Sequence, residues 1–191
     1  MSLKISVVSI ALVFALLFLS SCTGDERGTY AAIFERPFSA KISVTNEETE
    51  YKATLTLFAI PSLDTEQASE AERDSTLLRD GNIVYTYPQT LADITAVRTG
   101  GNVTINVSTV TVTPSESVGQ RYVALLDMLD IRSCELLRFE KDTERDIDAR
   151  RLTFLRSGKE LTLTVDAKTR IPILLEGDGT RIDFEEFIYI N

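Results

Sequence analysis

The apolar residues of this chain recur mainly at every second position from Phe38 onward, and this period constrains the fold more than any other feature. In the run Leu161–Asp166, for example, two leucines and a valine alternate with threonines and an aspartate. Successive side chains of a β-strand point to opposite faces, so each such run has one apolar face and one polar face. The chain is therefore predicted to consist mainly of strands that are buried on one side.

Short segments with this pattern follow one another at intervals of about ten residues, separated by turn residues. Their bounds are 42–44, 53–57, 83–87, 94–97, 103–107, 110–112, 136–139, 152–155, 161–165, 171–175 and 182–190. The charged stretch from Lys141 to Asp148 is predicted to be a turn. Because the connections are mostly of hairpin length, these segments indicate a large antiparallel sheet.

One segment, from about Ser117 to Ile131, has the period of a helix instead. Its apolar stripe consists of Tyr122, Leu125, Leu126 and Leu129. Ser115 or Ser117 is predicted to cap the first turn through its side chain. The stripe must pack on the sheet, because no other predicted element offers it an apolar partner.

A second short helix is predicted around residues 65–78 if that acidic stretch is not simply a loop. Even with it, the predicted helices are too few to cover one face of so many strands. The sheet must then curl around the helix. The predicted fold class is mainly β (α+β): a curved antiparallel sheet forming an open half-barrel wrapped around one or two helices.

The N-terminal segment predicts export. Lys4 precedes an apolar run from Ile5 to Leu19, which is too short to favour a permanent membrane span. Leu19-Ser20-Ser21-Cys22 resembles the lipobox of bacterial lipoproteins, whose cysteine receives a diacylglycerol and becomes the mature N-terminus. The alternatives are an ordinary cleaved signal and an uncleaved anchor. We predict a signal peptide over residues 1–21, a tether over 22–28 and a single domain over 29–191.

The resemblance of Cys22 to a lipidated cysteine implies that acyl chains hold the protein to a membrane. The location is then the outer face of the cell membrane, or the outer membrane in a cell that has two. The formal net charge is −9, which repels nucleic acid and anionic lipid surfaces. We therefore expect no nucleic-acid partner. A lipid or another envelope protein remains as the candidate partner.

The composition disfavours catalysis and resident cofactors. The chain has no histidine, which excludes Ser-His-Asp and Cys-His nucleophile systems and any zinc site that uses histidine. Neither a metal-binding motif nor a glycine-rich phosphate loop is present, so no metal and no cofactor is predicted. Once Cys22 is modified, Cys134 is the remaining cysteine, and a buried structural thiol is favoured over a reactive one.

Two carboxylate pairs are the candidates for catalysis: Glu185 with Glu186, and Asp178 with Asp183. Adjacent strand residues point to opposite faces, so Glu185 and Glu186 are expected to diverge unless a bulge intervenes. No catalytic residue is predicted.

The last third of the chain resembles a known family. Leu161–Asp166 leads through a turn to Ile171-Pro172-Ile173-Leu174-Leu175, and the strand Gly179–Phe187 follows with an aromatic residue near its end. This order is similar to the closing strands of the LolA/LolB-like superfamily of lipoprotein carriers and receptors. The resemblance implies an unclosed β-barrel whose apolar concavity accepts acyl chains.

The concave face is the candidate binding site that follows from this resemblance. Its predicted lining consists of Leu55, Leu57, Leu163, Val165, Ile173 and Leu175. The same residues would form the core of any such sheet, so plain packing stays open as the alternative. A second functional hypothesis is an envelope or spore-associated lipoprotein that docks on another protein, by a sheet edge or by its acidic segment 61–80, without a small ligand.

Overall fold

A computed structural model describes residues 30, 32–58, 79–131 and 134–190. The chain divides into two compact units, residues 1–32 and 33–191, and the second contains every strand given below. The predicted signal peptide, the candidate lipidation site Cys22, the tether and the possible helix at 65–78 lie outside the described residues.

The described part of the second unit contains eleven strands and one α-helix. The strands are β1 (Phe38–Thr45), β2 (Glu50–Leu57), β3 (Gly81–Tyr87), β4 (Ile94–Thr99), β5 (Asn102–Val107), β6 (Val110–Val112), β7 (Glu135–Glu144), β8 (Ile147–Arg156), β9 (Lys159–Asp166), β10 (Pro172–Gly177) and β11 (Thr180–Tyr189). The helix α1 spans Glu116–Met128, and a 3-10 turn covers Ala32–Phe34. Each segment predicted from the period of two coincides with a strand, with only Ile171 and Ile190 lying just outside β10 and β11, and the predicted fold class is confirmed.

The strands form one antiparallel sheet in the order β6-β5-β4-β3-β2-β1-β11-β10-β9-β8-β7. Every neighbour in this order is also a neighbour along the chain except β1 and β11, which pair from Phe38 opposite Tyr189 to Thr45 opposite Arg181. This pairing joins the first and last strands in the middle of the sheet. The sheet does not close into a barrel, because β6 and β7 remain its two ends.

The prediction of a turn over the charged stretch Lys141–Asp148 is wrong. Instead of forming a turn throughout Lys141–Asp148, β7 and β8 continue into it, and only Arg145 and Asp146 form the turn, with φ of 52° and 63°. Positive φ at both central residues matches the twist of a tight hairpin. The stretch lacks apolar alternation because charged pairs, rather than core packing, hold its side chains.

The β7–β8 hairpin curls over the outer face of the sheet. The guanidinium of Arg145 at its tip bonds the carboxylate of Asp183 on β11, although two strands, β9 and β10, lie between the hairpin and β11 in the sheet order. Strands are spaced by about 4.8 Å, so a flat sheet would separate these residues widely. Ala149 of the hairpin is fully buried in a cluster with Ile173 and Leu174 of β10.

The inner face of the sheet carries the core. The seam between β1 and β11 is packed with aromatic rings, since the centroids of Phe38 and Phe187 lie 4.6 Å apart and Phe34 stacks on Phe184 at 6.1 Å. Leu55 of β2 is fully buried beside this seam. Aromatic and aliphatic burial of this kind is the main stabilising contribution to such a fold.

Helix α1 lies on the inner face and contacts β3, β4 and β5. Leu125, Leu126 and Leu129 of the predicted stripe are buried, while Tyr122 is half-buried. Ser115 is the N-cap residue, but its side chain makes no capping hydrogen bond, so the predicted side-chain cap is wrong. The helices among the described residues are too short or too polar to cross a membrane.

A buried arginine fixes the end of α1. Arg98 on β4 is 1% exposed, and its Nη1 lies 2.5 Å from Oδ1 of Asp127, which is 31% exposed. Its Nε donates to the backbone carbonyl of Arg79 at 2.8 Å. Arg79 in turn donates to the carbonyls of Phe58 and Arg36. One ion pair and a set of charge-assisted hydrogen bonds therefore connect the helix to the segment before β1 and to both ends of the β2–β3 connection.

We expect Asp127→Ala to lower the free energy of unfolding by roughly 2 kcal/mol, because it leaves the charge of Arg98 buried without its carboxylate. Urea denaturation measures the change. Glu186→Ala removes one partner of the exposed Lys41–Glu186 pair and should change stability by less than about 0.5 kcal/mol. Equal effects of the two substitutions would contradict the assigned role of Arg98.

Candidate binding cleft

A cleft of about 610 Å³ opens at one end of the inner face, between α1, the ends of β2 and β3, and the loops beside them. Its lining consists of Glu48, Thr49, Glu50, Tyr51, Tyr85, Pro88, Leu91, Val118, Arg121 and Tyr122. This volume lies within the range of small-molecule sites, about 300–1,000 Å³. We call it the α1–β2–β3 cleft.

Three tyrosines form one side of the cleft. The ring centroids of Tyr51 and Tyr85 are 5.5 Å apart, and those of Tyr85 and Tyr122 are 6.2 Å apart in an edge-to-face arrangement. The hydroxyl of Tyr85 donates to the backbone carbonyl of Tyr122 at 3.0 Å, which ties β3 to the helix. The rings therefore present a fixed aromatic surface to the cleft.

Burial makes two of these phenols, those of Tyr51 and Tyr85, weaker acids than usual. Desolvation raises the pKa of Tyr51 to about 12 and raises the pKa of Tyr85 further, with smaller contributions from Tyr51 and Tyr122. Both side chains are therefore neutral throughout the physiological range. Their surfaces suit an apolar or neutral ligand group rather than an ion.

The polar groups of the cleft lie at its rim. Arg121 on the exposed side of α1 supplies the cation of the lining, while Glu48 lies on the β1–β2 connection and Glu50 begins β2. That connection is held by Asn46, whose Oδ1 accepts hydrogen bonds from the amides of Glu48 and Thr49 at 3.0 and 2.7 Å. An apolar interior with a few charged groups at its mouth suits an amphipathic ligand.

The six residues predicted to line the concave face are buried and lie outside this cleft. Leu55, Leu57, Leu163, Val165 and Leu175 are fully buried, and Ile173 is 7% exposed. The lining of the α1–β2–β3 cleft includes none of them. Their role as ligand contacts stays a prediction.

Ile173 is separated from the other five by an irregularity in β10. The register with β9 shifts between Pro172 and Leu174, so Ile173 and Leu175 do not share a face as simple alternation predicts. Leu175 pairs with Leu163 on the inner face, while Ile173 packs in the outer cluster with Ala149 and Leu174.

The cleft residues were missed for a reason that the sequence itself shows. Tyr51 and Tyr85 occupy the same strand faces as the buried residues, at the strand ends, so alternation alone does not separate them from the core. Pro88 and Leu91 lie in a loop outside any periodic pattern. The cluster of tyrosines at strand ends was the one available signal.

A second, smaller cavity of about 350 Å³ lies between α1 and the turns that follow β8 and β10. Its lining mixes apolar side chains such as Met128 and Leu161 with charges such as Arg156, Lys159 and Asp178. This mixture gives it no distinct ligand chemistry.

The first pair of candidate catalytic carboxylates is engaged in ion pairs on the surface. Glu185 accepts from Lys52 at 2.7 Å, and Glu186 accepts from Lys41 at 2.9 Å. The register of β1 and β11 shifts where Glu185 lies, so the bulge considered from the sequence does occur. Hydrogen bonding to Glu185 raises the pKa of Lys52.

The second carboxylate pair is engaged in the same way. Asp178 lies 2.5 Å from Nζ of Lys159, and Asp183 bonds both Arg145 and Arg181. Neither candidate pair contributes to the α1–β2–β3 cleft.

Cys134 is a free, half-buried thiol. Burial raises its pKa, which outweighs the opposing effect of Arg156. A raised pKa keeps the group in the less reactive thiol form at neutral pH.

No family model and no curated protein matches the chain. Solved structures do resemble it. An uncharacterized conserved protein from Thermus thermophilus aligns with a TM-score of 0.51 at 14% identity, over 88% of this chain and 88% of its own. MucB of Pseudomonas aeruginosa, solved with MucA, aligns with a TM-score of 0.46 at 12% identity, over 86% of this chain and 56% of its own.

A LolA superfamily protein from Nitrosomonas europaea aligns with a TM-score of 0.37 at 12% identity, over 82% of this chain and 87% of its own. The chain therefore corresponds to little more than half of the MucB chain but to most of the other two. At these identities the likeness extends to the fold alone.

Removal of the Tyr85 hydroxyl should loosen the contact between β3 and α1. Tyr85→Phe is expected to lower the free energy of unfolding by about 1 kcal/mol, the usual contribution of a partly buried hydrogen bond. Tyr87→Phe is the matched control, because Tyr87 is 51% exposed. A loss for Tyr87→Phe as large as that for Tyr85→Phe would show that the Tyr85 contact is not responsible.

The raised pKa of Tyr51 predicts a loss of stability in alkali. The folded chain retains the phenolic proton up to about pH 12, whereas the unfolded chain releases it near the ordinary value of 10.0. The free energy of unfolding should therefore fall between those two pH values. Tyr51→Phe should show a shallower fall in chemical denaturation over this range, and identical slopes would contradict the prediction.

Proposed function

We propose that this protein is a non-catalytic binding module of the cell envelope that holds the acyl chain of a lipid or of a lipidated partner in the α1–β2–β3 cleft. The observation that carries the proposal is the position of the cleft, which opens where the apolar inner face of the sheet reaches the surface. The open half-barrel supplies a curved apolar face, and α1 leaves this end of it accessible.

The chemistry of the lining supports an acyl ligand. Val118, Leu91 and Pro88 provide aliphatic surface opposite the three tyrosine rings. Arg121 at the rim is suited to a phosphate or carboxylate head group, since a guanidinium binds such oxygens with two parallel hydrogen bonds. An acyl chain inside therefore satisfies the apolar part of the cleft, while the mouth holds one cation, Arg121, with Glu48 and Glu50 beside it.

Lipidation of Cys22 is the second part of the proposal. Two or more acyl chains on one protein give effectively stable membrane attachment, because each buried CH₂ contributes about 0.8 kcal/mol. A protein attached in this way stays at its membrane, so it acts as a stationary receptor or scaffold rather than a diffusing carrier. The lipobox-like residues Leu19–Cys22 are its support.

Saturable uptake of a fluorescent fatty-acid analogue tests ligand binding, using a delipidated chain that lacks residues 1–22. Val118→Glu should weaken binding by about tenfold or more, because the ligand would have to bury a carboxylate with it. Val118 is 44% exposed, so the substitution should leave the fold intact.

Ile188→Glu is the matched control, because Ile188 is 63% exposed on β11 and lies outside the cleft lining. It should bind the analogue like the unaltered chain. Absence of saturable binding, or equal losses for the two variants, would overturn the acyl-binding proposal and favour docking on another protein.

A further inference from the structure

The two ends of the sheet differ in how they are protected against pairing with another strand. Six of the ten residues of β7 are charged, including Lys141 and Arg138, and such charges discourage edge-to-edge association. At the opposite end, β6 consists of Val-Thr-Val. No charged residue occurs between Arg98 and Glu116, so β6 and the strand beside it lack this protection.

The valines of β6 are exposed although they lie on the apolar face. Val112 pairs with the buried Ile105, and Val110 pairs with Val107, so all four share the inner face. Val110 is 58% exposed and Val112 is 47% exposed. The apolar inner face therefore continues to the end of the sheet, beyond the strands with which α1 makes its main contacts.

The sequence of this edge is the same in both directions. Thr109-Val110-Thr111-Val112-Thr113 is a palindrome, and all five residues are exposed. In an antiparallel pair of two copies centred on Thr111, each Val110 would lie opposite the Val112 of the other copy. Such an interface is self-complementary, as two-fold symmetry requires.

Charge also selects this edge for self-association. The chain carries a formal net charge of −9, so most surfaces of two copies repel each other. The segment between Arg98 and Glu116 places no like charges across the junction, whereas paired β7 strands would oppose charged side chains along their length.

We infer that two copies of this protein associate through antiparallel pairing of their β6 edges about Thr111. A two-fold axis normal to the sheet keeps the two inner faces on the same side, so the apolar surface continues from one copy to the other. A five-residue edge is small for a stable dimer in solution. The inference therefore relies on membrane attachment, part of the proposed function, to raise the local concentration.

Cysteine cross-linking in membranes that contain the full chain tests the register. In a Cys134→Ser background, Thr111→Cys should form a disulfide-linked dimer under copper–phenanthroline oxidation. Directly opposed residues of antiparallel strands have Cα atoms about 4.5–5.5 Å apart, within the span of a disulfide. Thr109→Cys alone should not cross-link, because the two copies of that residue would be about 13 Å apart.

The double variant Thr109→Cys, Thr113→Cys should cross-link again, because these positions oppose each other in the inferred register. Val110→Lys with Val112→Lys, added to Thr111→Cys, should lower the dimer fraction by roughly tenfold through opposed like charges. Leu137→Lys, added to Thr111→Cys in the same way, is the control on the other edge and should leave the dimer fraction unchanged, because Leu137 is 41% exposed on β7.

Equal cross-linking of Thr111→Cys and Thr109→Cys would overturn the inference, as would no cross-linking by Thr111→Cys or its cross-linking to a different protein. Fatty-acid binding is measured separately on the soluble chain. Failure of the β6 pairing and failure of the acyl-binding proposal are therefore distinguishable.

Discussion

Burial of a one-sided apolar sheet is the constraint on which the rest of this structure depends. Among the described residues the sheet has eleven strands, whereas the main contacts of α1 are with β3, β4 and β5. Curvature solves part of this imbalance, because it brings the inner faces of distant strands toward each other and toward the helix. The aromatic seam around Phe38 and Phe187 buries the centre of the sheet in the same way. The apolar surface that curvature leaves unburied lines the cleft at one end of the sheet and includes the exposed valines at the β6 edge.

The period of two in the sequence was sufficient to predict the strands and the open half-barrel, because alternation reports directly which face each strand buries. It failed where side chains are held by charge. Asp142 and Arg151 form an ion pair at 2.7 Å across β7 and β8, and Arg145 reaches Asp183. Neither contact involves apolar residues, so the sequence shows no apolar alternation there. It therefore predicts a turn where the hairpin continues. The shifted register at Ile173 could likewise not be predicted from the sequence. A single irregular residue changes which face of the sheet a side chain occupies without changing the pattern of apolar residues.

The cleft shows why a binding site was harder to predict than the fold. Alternation identifies Leu55 and Leu163 as inward-facing, but whether an inward residue meets a neighbour or an opening depends on the tertiary position of α1. The lining combines strand ends, a loop and one side of the helix, which are distant in sequence. Tyr85 connects these elements by its bond to the carbonyl of Tyr122. The same contact that stabilises the helix thus fixes the aromatic side of the cleft.

The distribution of charge connects the two ends of the sheet to the proposed lipidation site, Cys22. A strongly acidic chain gains solubility from its charges, yet those charges also keep copies apart. The charge-free segment 99–115, which contains β6, is therefore an exception within the described sheet, and it coincides with the sheet end that has exposed valines on its inner face. A surface so small associates only when copies are already concentrated. Lipidation at Cys22 would supply that concentration, so the proposed anchor and the uncharged β6 edge would act together in association.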